Sequence, residues 1–247
     1  GGQETVQDAD TVLEGWEAFV ARWHQAVSQH LVAVELELEG GSPRHSILRG
    51  IGFATAGGAW GYEIEAGRAD EVVALLRDTA RRFEPVFLFH DAKKAMLALG
   101  LTGFGELKLH GDTMLAAYLL NPNGGQKGLA EIVLEHLNLP LVEEKRTALS
   151  LAKKAQLVYR LQEVLRQKLA EAGMLDLYTQ VELPLVAVLA SMEARGVKLD
   201  LPQLEKMGRE LEDSIEQMTR QIYELAGEEF NINSPKQLGR ILFEKLG

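Results

Sequence analysis

His90-Asp91 closes a wholly apolar run, Pro85 to Phe89, which reads as a buried parallel strand. An imidazole beside a carboxylate can act as an acid–base couple. No nucleophile or second acid stands near it in the sequence, so a surface pair at a strand end is the plainer reading. The second group with chemical potential is basic. Lys236, Arg240 and Lys245 recur four and five residues apart, which sets them along a helix either as a phosphate-facing patch or as a solvated face. They follow a helix start: Ser234 can cap, Pro235 sits at the first helical position with φ already set, and Gln237 completes a capping box. A Ser-capped helix N-terminus with a neighbouring lysine can hold a phosphate, or can simply be a capped surface helix.

The elements that must position these groups follow from periodicity. Residues 31–38 alternate apolar and acidic at their end and read as a strand. Ile47–Ala56 and Ala59–Ile64 read as two more, joined at Gly57-Gly58. A helix over Ala69–Phe83, the Pro85–Phe89 strand, a helix over Lys93–Leu99 and a strand over Glu106–Leu109 follow. Then come helices over Asp112–Leu120, with Asp112 as cap and Asn121-Pro122 as stop, over Gly128–Leu137, and over Thr147–Ala172, ending at Gly173. This order predicts an α/β mixed fold, antiparallel strands first and crossover helices after. From Tyr178 strand patterns vanish. Glu182–Ala194 reads as a helix broken at Gly196, and Asp200 caps another carrying Leu201, Leu204, Met207, Leu211, Ile215, Met218, Ile222 and Leu225. Spacings of three and four make that stripe a narrow seam of a coiled coil or two-helix arm. It lacks the convergent polar groups of a cofactor pocket.

Composition sets bounds. At 247 residues, 46% hydrophobic and 25% charged, the chain suits one large domain or two smaller ones. A net charge of −10 argues against a surface that grips nucleic acid all over, though not against a local basic patch. The absence of cysteine removes disulfides, thiolate metal sites and cysteine nucleophiles, and fits a reducing cytoplasm. No apolar run stands out as long enough to span a bilayer, so no membrane partner is expected. Gly1-Gly2-Gln3 reads as a cloning or processing scar.

Longer phrases carry a family likeness. Glu182-Leu183-Pro184-Leu185, Val188-Leu189-Ala190, Met192-Glu193, Gly196-Val197 and Asp200 form one; Ile222 to Gly227 forms the next; Glu229-Phe230-Asn231-Ile232-Asn233-Ser234-Pro235-Lys236-Gln237-Leu238 and Ile241 to Leu246 form the last. Together they closely resemble the start of the polymerase domain and the thumb of bacterial family A DNA polymerases. Gly111 to Pro122 resembles a segment of that family's exonuclease-type domain. The resemblance implies a ribonuclease H-like 3′–5′ exonuclease-type domain over 1–176, three antiparallel strands then β-α-β-α, followed by an incomplete all-α thumb segment over 177–247. It implies primer–template duplex DNA as partner, met on its backbone by Asn231, Asn233, Ser234, Lys236, Gln237 and Arg240. The palm, with its aspartates and Mg²⁺, lies downstream in the family, so this chain is expected to hold no cofactor and to have palm and fingers as a companion fragment.

An active exonuclease of that family needs four carboxylates around two divalent metals. Glu35-Leu36-Glu37 stands where the family has Asp-x-Glu: Glu37 fits, and Glu35 is one methylene too long. Asp91-Ala92-Lys93-Lys94-Ala95 stands for Asn-x-Lys-x-Asp, with Ala95 at the ligand position. Over Ser150 to Gln156, Lys153, Lys154 and Gln156 replace the expected Tyr and Asp, and an ammonium there repels a metal ion. The resemblance thus implies a nuclease fold stripped of its catalytic and metal-binding residues. Two alternatives stay open: hydrolysis by a rearranged set, Glu35, Glu37, Asp91 and Asp112, or a non-enzymatic interaction module with the sheet domain as scaffold.

Overall fold

The strand expected over 31–38 becomes the spine of a sheet. Leu31–Glu39 (β2) pairs antiparallel with Ile47–Thr55 (β3) and parallel with Val86–Phe89 (β5). Gly58–Glu63 (β4) extends the antiparallel side, and Lys108–Asp112 (β6) the parallel side. The computed structural model describes residues 11–103, 105–141 and 147–247, so the expected scar at residues 1–3 lies outside them. Two units form, Gly1–Gly196 and Val197–Gly247.

Among the described residues the sheet has six strands in the order β1-β4-β3-β2-β5-β6. The sequence reading passed over its first elements: Thr11–Val12 (β1), parallel to β4, and Trp16–Val27 (α1). The signal for α1 was present, because Phe19, Trp23, Ala26 and Val27 fall on one face and are buried. With Ala69–Phe83 (α2), α1 covers the face of the sheet carrying Phe53 and Tyr62. Phe19 stacks on Tyr62 at 4.5 Å, Trp23 meets Phe53 edge-on at 5.2 Å, and Trp23 Nε1 donates to Thr79 Oγ1 at 2.9 Å.

Ala148–Glu171 (α6) covers the opposite face. Its backbone rests on β3 and β4 because glycines clear the way. A Cβ on Gly61 would lie 1.7 Å from the Ala148 carbonyl oxygen, and one on Gly52 would lie 2.2 Å from that of Leu151. Thr113–Leu120 (α4) and Leu129–Leu137 (α5) pack along the outer half of α6, burying Ala116, Ile132, Leu161 and Leu165. Ala92–Leu99 (α3) follows β5.

Leu175–Leu177 (α7), a π-helical turn over Tyr178–Glu182, and Leu183–Arg195 (α8) run on as one helical stretch. Val186 and Ala190 are buried in the core cluster that holds Met96 and Leu97 of α3, so the first unit continues to Gly196, past the boundary expected at 176/177. Strand patterns stop at Tyr178, but burial does not. Contrary to the expectation that no run is long enough to span a bilayer, the helical stretch Leu175–Arg195 is long enough, and an 18-residue window within it apolar enough, to cross one. It also carries Asp176, Glu182, Glu193 and Arg195 and buries one face in the core, as a core helix of a folded domain does.

The second unit is helical, as expected: Leu201–Ala226 (α9), Pro235–Arg240 (α10) and a π-helical turn over Ile241–Lys245. Asp200 caps α9 by accepting from Gln203 N at 3.1 Å. The seam on α9 lies open, with Leu201, Leu204, Met207, Leu211, Ile215, Met218 and Leu225 between 49% and 78% exposed.

Candidate functional site

The period of two along β2 turns Val32 and Val34 toward α1 and α2, and Glu35 and Glu37 toward α6. Glu35 pairs with Gly52 and Glu37 with Gly50 on β3, and a register shift follows at Glu37/Leu38. On this face a cavity of about 500 Å³ holds Glu35, Glu37, His90, Lys94, Ser150 and Lys154 along its wall. A second of about 290 Å³ shares Glu35, His90 and Lys94 and adds Asp91, Ala95 and Lys127. The structure therefore brings Glu35, Glu37, Ala95 and Lys154 to one place. Gln156 and Lys153 line neither cavity, because a residue one or two positions from Lys154 points about 100° or 200° away around the helix.

Glu35 Oε1 is shielded from solvent and has no hydrogen-bond partner. Burial pushes the Glu35 carboxyl up to about 8, with Lys154 and then Lys94 pulling it down and Asp112 and Asp91 adding to the rise. Neither Lys94 nor Lys154 has an ion-pair partner among the described residues, whereas Lys127 is held by Glu135. An exonuclease-type metal pair does not fit these side chains: Ala95 offers no donor and Lys154 brings a positive charge. Among the described residues no group of three or more acids and histidines is arranged to hold a metal ion.

His90 and Asp91 were expected at the surface; both are half-buried. The His90 ring Nδ1 lies 3.0 Å from Thr113 Oγ1. Burial, helped by Lys94, pushes the imidazole down to about 4, so it stays neutral at pH 7. Asp91 takes up left-handed backbone with φ 67° and caps α3 by accepting from Lys94 N at 3.1 Å. Asp112 is the cap of α4, as read from sequence, and more. Its carboxylate accepts from four backbone N–H groups: Asp91 at 3.2 Å, Ala92 at 2.7 Å, Met114 at 2.9 Å and Leu115 at 3.2 Å. Its own N–H donates to the Tyr178 hydroxyl at 2.7 Å, and that hydroxyl donates to the Asp112 carbonyl at 3.1 Å. Burial pushes the Asp112 carboxyl above its ordinary range while those backbone donors pull it down. The rearranged acid set thus loses two members, since Asp91 and Asp112 are committed to helix starts. Sequence reasoning missed the Tyr178 clamp, because a buried tyrosine 66 residues away leaves no local pattern.

In the second unit Ser234 caps α10, with Gln237 N 3.5 Å from its hydroxyl. The capping box is not completed. Gln237 Oε1 instead accepts from Asn231 N at 2.8 Å, and Asn231 Oδ1 accepts from Asn233 N at 3.0 Å. The expected basic stripe is thinned by a residue the helical spacing left out. Glu228 pairs with Arg240 at 2.7 Å and with Lys245 at 3.5 Å, leaving Lys236 exposed and without an ion-pair partner among the described residues. Such exposed pairs are weak, because water screens them, and yield to a stronger anion.

Residues 201–247 match the family model of DNA polymerase family A. DNA polymerase I of Geobacillus stearothermophilus is 35% identical over 230 residues, covering 87% of this chain and 26% of that protein. DNA polymerase I of Streptococcus pneumoniae is 50% identical over 97 residues, 39% of this chain and 11% of that one. A solved structure described as the POL domain of Pol1 from M. smegmatis in complex with DNA primer-template and dNTP superposes with a TM-score of 0.75 at 29% identity, covering 96% of this chain and 41% of the other. The chain spans about a quarter or less of the length of the curated relatives it matches.

Proposed function

We infer that this chain is a piece of a family A DNA polymerase of the bacterial DNA polymerase I type, from the N-terminal part of its large fragment. The parent enzyme extends a primer 3′ end in the cytoplasm, with Mg²⁺ held by palm residues belonging to the rest of the polymerase domain. The first unit is a ribonuclease H-like exonuclease-type domain that has lost hydrolysis and serves as scaffold. One observation carries this: Ala95 and Lys154 stand in the cavities that hold Glu35 and Glu37, where a two-metal site needs carboxylates. The second unit is thumb. Asn231, Asn233, Ser234, Lys236 and Gln237 meet the duplex backbone, and Arg240 joins them by exchanging Glu228 for phosphate. Palm and fingers, as a companion fragment or the continuation of the chain, cover the open seam of α9.

The test is hydrolysis of a 3′-labelled single strand by this chain in Mg²⁺ or Mn²⁺, beside primer extension. Neither activity is expected. Nucleotide release that disappears in Glu37→Ala would overturn the scaffold reading and restore an active exonuclease.

A further inference from the structure

A separate cavity of about 490 Å³ opens where the second half of α6 crosses the sheet, and it shares no lining residue with the two cavities around Glu35. Tyr159, Gln162, Glu163 and Arg166 recur at helical spacing and line it from α6; Leu31, the first residue of β2, and Leu88 of β5 line it from the sheet. Gln162 is 3% exposed, and its amide lies flat on β6, where a Cβ on Gly111 would come within 2.2 Å of Oε1. Its Nε2 donates to the His110 carbonyl at 3.5 Å, while Oε1 is buried and has no partner. The Tyr178 hydroxyl contacts this amide, but its proton goes to the Asp112 carbonyl at 3.1 Å. A buried acceptor left without a donor is costly, and a bound group carrying an O–H or N–H would remove that cost. Above it stand Arg160 and Arg166, neither of which has an ion-pair partner among the described residues. Burial and then Arg166 push the His110 imidazole down against the pull of Glu163, so it is neutral at pH 7. The rim therefore carries two cations and one acid, Glu163, in a chain whose net charge of −10 gives no diffuse attraction for anions.

We propose that this cavity binds a small hydroxylated aromatic carboxylic acid: Arg160 and Arg166 meet its carboxylate, Leu31, Leu88 and the Tyr159 ring take its body, and Gln162 Oε1 accepts from its hydroxyl. Guanidinium matches carboxylate geometry, and an apolar wall with a few convergent polar groups is the usual form of a small-ligand site of this volume. A metal cation is the poorer occupant, because one carboxylate and one neutral imidazole face two arginines. The inference goes beyond the polymerase reading and does not depend on it.

The experiment is calorimetric titration of the chain with 4-hydroxyphenylacetate, with phenylacetate, which lacks the hydroxyl, and with 4-hydroxyphenylethanol, which lacks the carboxylate. It is repeated on Arg160→Gln, Arg166→Gln, Gln162→Met and Lys154→Met, each checked for an unaltered urea midpoint. Saturable binding of 4-hydroxyphenylacetate is expected, with each analogue weaker by about tenfold. Each arginine variant should weaken the two acids by about tenfold and leave the alcohol unchanged. Gln162→Met should abolish the preference for 4-hydroxyphenylacetate over phenylacetate, and should that variant fail to fold, the arginine pair still decides the matter. Lys154→Met, in the other cavity, should bind as the unaltered chain does. No saturation to about 10 mM, equal binding of the three compounds, or binding unchanged in both arginine variants overturns the proposal. Loss of binding in Lys154→Met alone would place the ligand beside Glu35 and overturn it as well.

Discussion

Glu35→Gln removes one titration from the cavity while keeping side-chain length and shape. The unfolded carboxyl titrates near 4.5 and the folded one near 8. Because the folded value is raised, Glu35 contributes stability that is fully present below pH 4.5 and is lost as pH rises through about 8. The full loss is about 5 kcal/mol, and about 3.5 kcal/mol of it falls between pH 5 and pH 8. All three tryptophans, Trp16, Trp23 and Trp60, lie in the first unit, so urea unfolding followed by their fluorescence reports on the unit that holds Glu35. The unaltered protein should lose about 3.5 kcal/mol more than Glu35→Gln between pH 5 and pH 8, whatever constant offset the amide adds. Parallel stability profiles for the two proteins would refute the reasoning, because they would mean Glu35 is solvated and ionised in the fold. Lys154→Met should steepen the fall, since it removes the strongest group holding the carboxyl down.

His90 works in the opposite sense. Its folded value of about 4 lies below the ordinary 6.5, so its contribution is present above pH 6.5 and is lost as pH falls through 4. His90→Gln should flatten about 3 kcal/mol of the acid limb in the same urea titrations. Gly61→Ala drives a Cβ into the Ala148 carbonyl and should cost about 3 kcal/mol or more, with α6 displaced, which a lowered thermal midpoint and altered tryptophan emission would register. Asp112→Asn replaces one accepting oxygen with an NH₂ facing backbone donors. A loss of about 3 kcal/mol in chemical denaturation is expected. Lys236→Ala should weaken duplex DNA binding by the second unit's tip without changing sequence preference, and lower the salt slope of log Kd by about 1.

The sheet strands from 31 to 109 and most helices were legible because each carries a local period. Alternation placed Glu35 and Glu37 on one face, and apolar spacing marked α6 and the α9 seam. What was not legible is what distant segments do to one another. Gly52 and Gly61 are unremarkable in strands until α6 lies on them. His90 reads as a surface residue until Thr113 and α3 bury it. The basic stripe on α10 was drawn from spacings within one helix, and Glu228, from beyond the Asn231–Asn233 turn, claims two of its three members. The acid substitutions at 95 and 154 were visible residue by residue. That Lys94 and Lys154 would then lack ion-pair partners among the described residues, beside an orphaned carboxyl oxygen, needed the cavity.

A scaffold role for the first unit has a physical basis in where α8 is buried. The phrase Glu182-Leu183-Pro184-Leu185 to Met192-Glu193 belongs by resemblance to the start of the polymerase domain. Yet Val186 and Ala190, inside that phrase, are buried in the core of the sheet unit, and Glu193 pairs with Lys93 of α3 at 2.9 Å. Tyr178, just upstream, holds both backbone groups of Asp112, whose carboxylate in turn caps α3 and α4. Deleting the sheet and the helices before Gly173 would therefore strip α8 of its apolar partners and leave the helical stretch Leu175–Arg195 with its apolar face uncovered. On the proposed reading, loss of hydrolysis would remove the need for carboxylates at 95 and 154, and would remove none of these contacts. The packing of α8 and the clamp on Asp112 depend on the sheet and its helices and not on the residues at 95 and 154, so that reading is compatible with a fold kept whole.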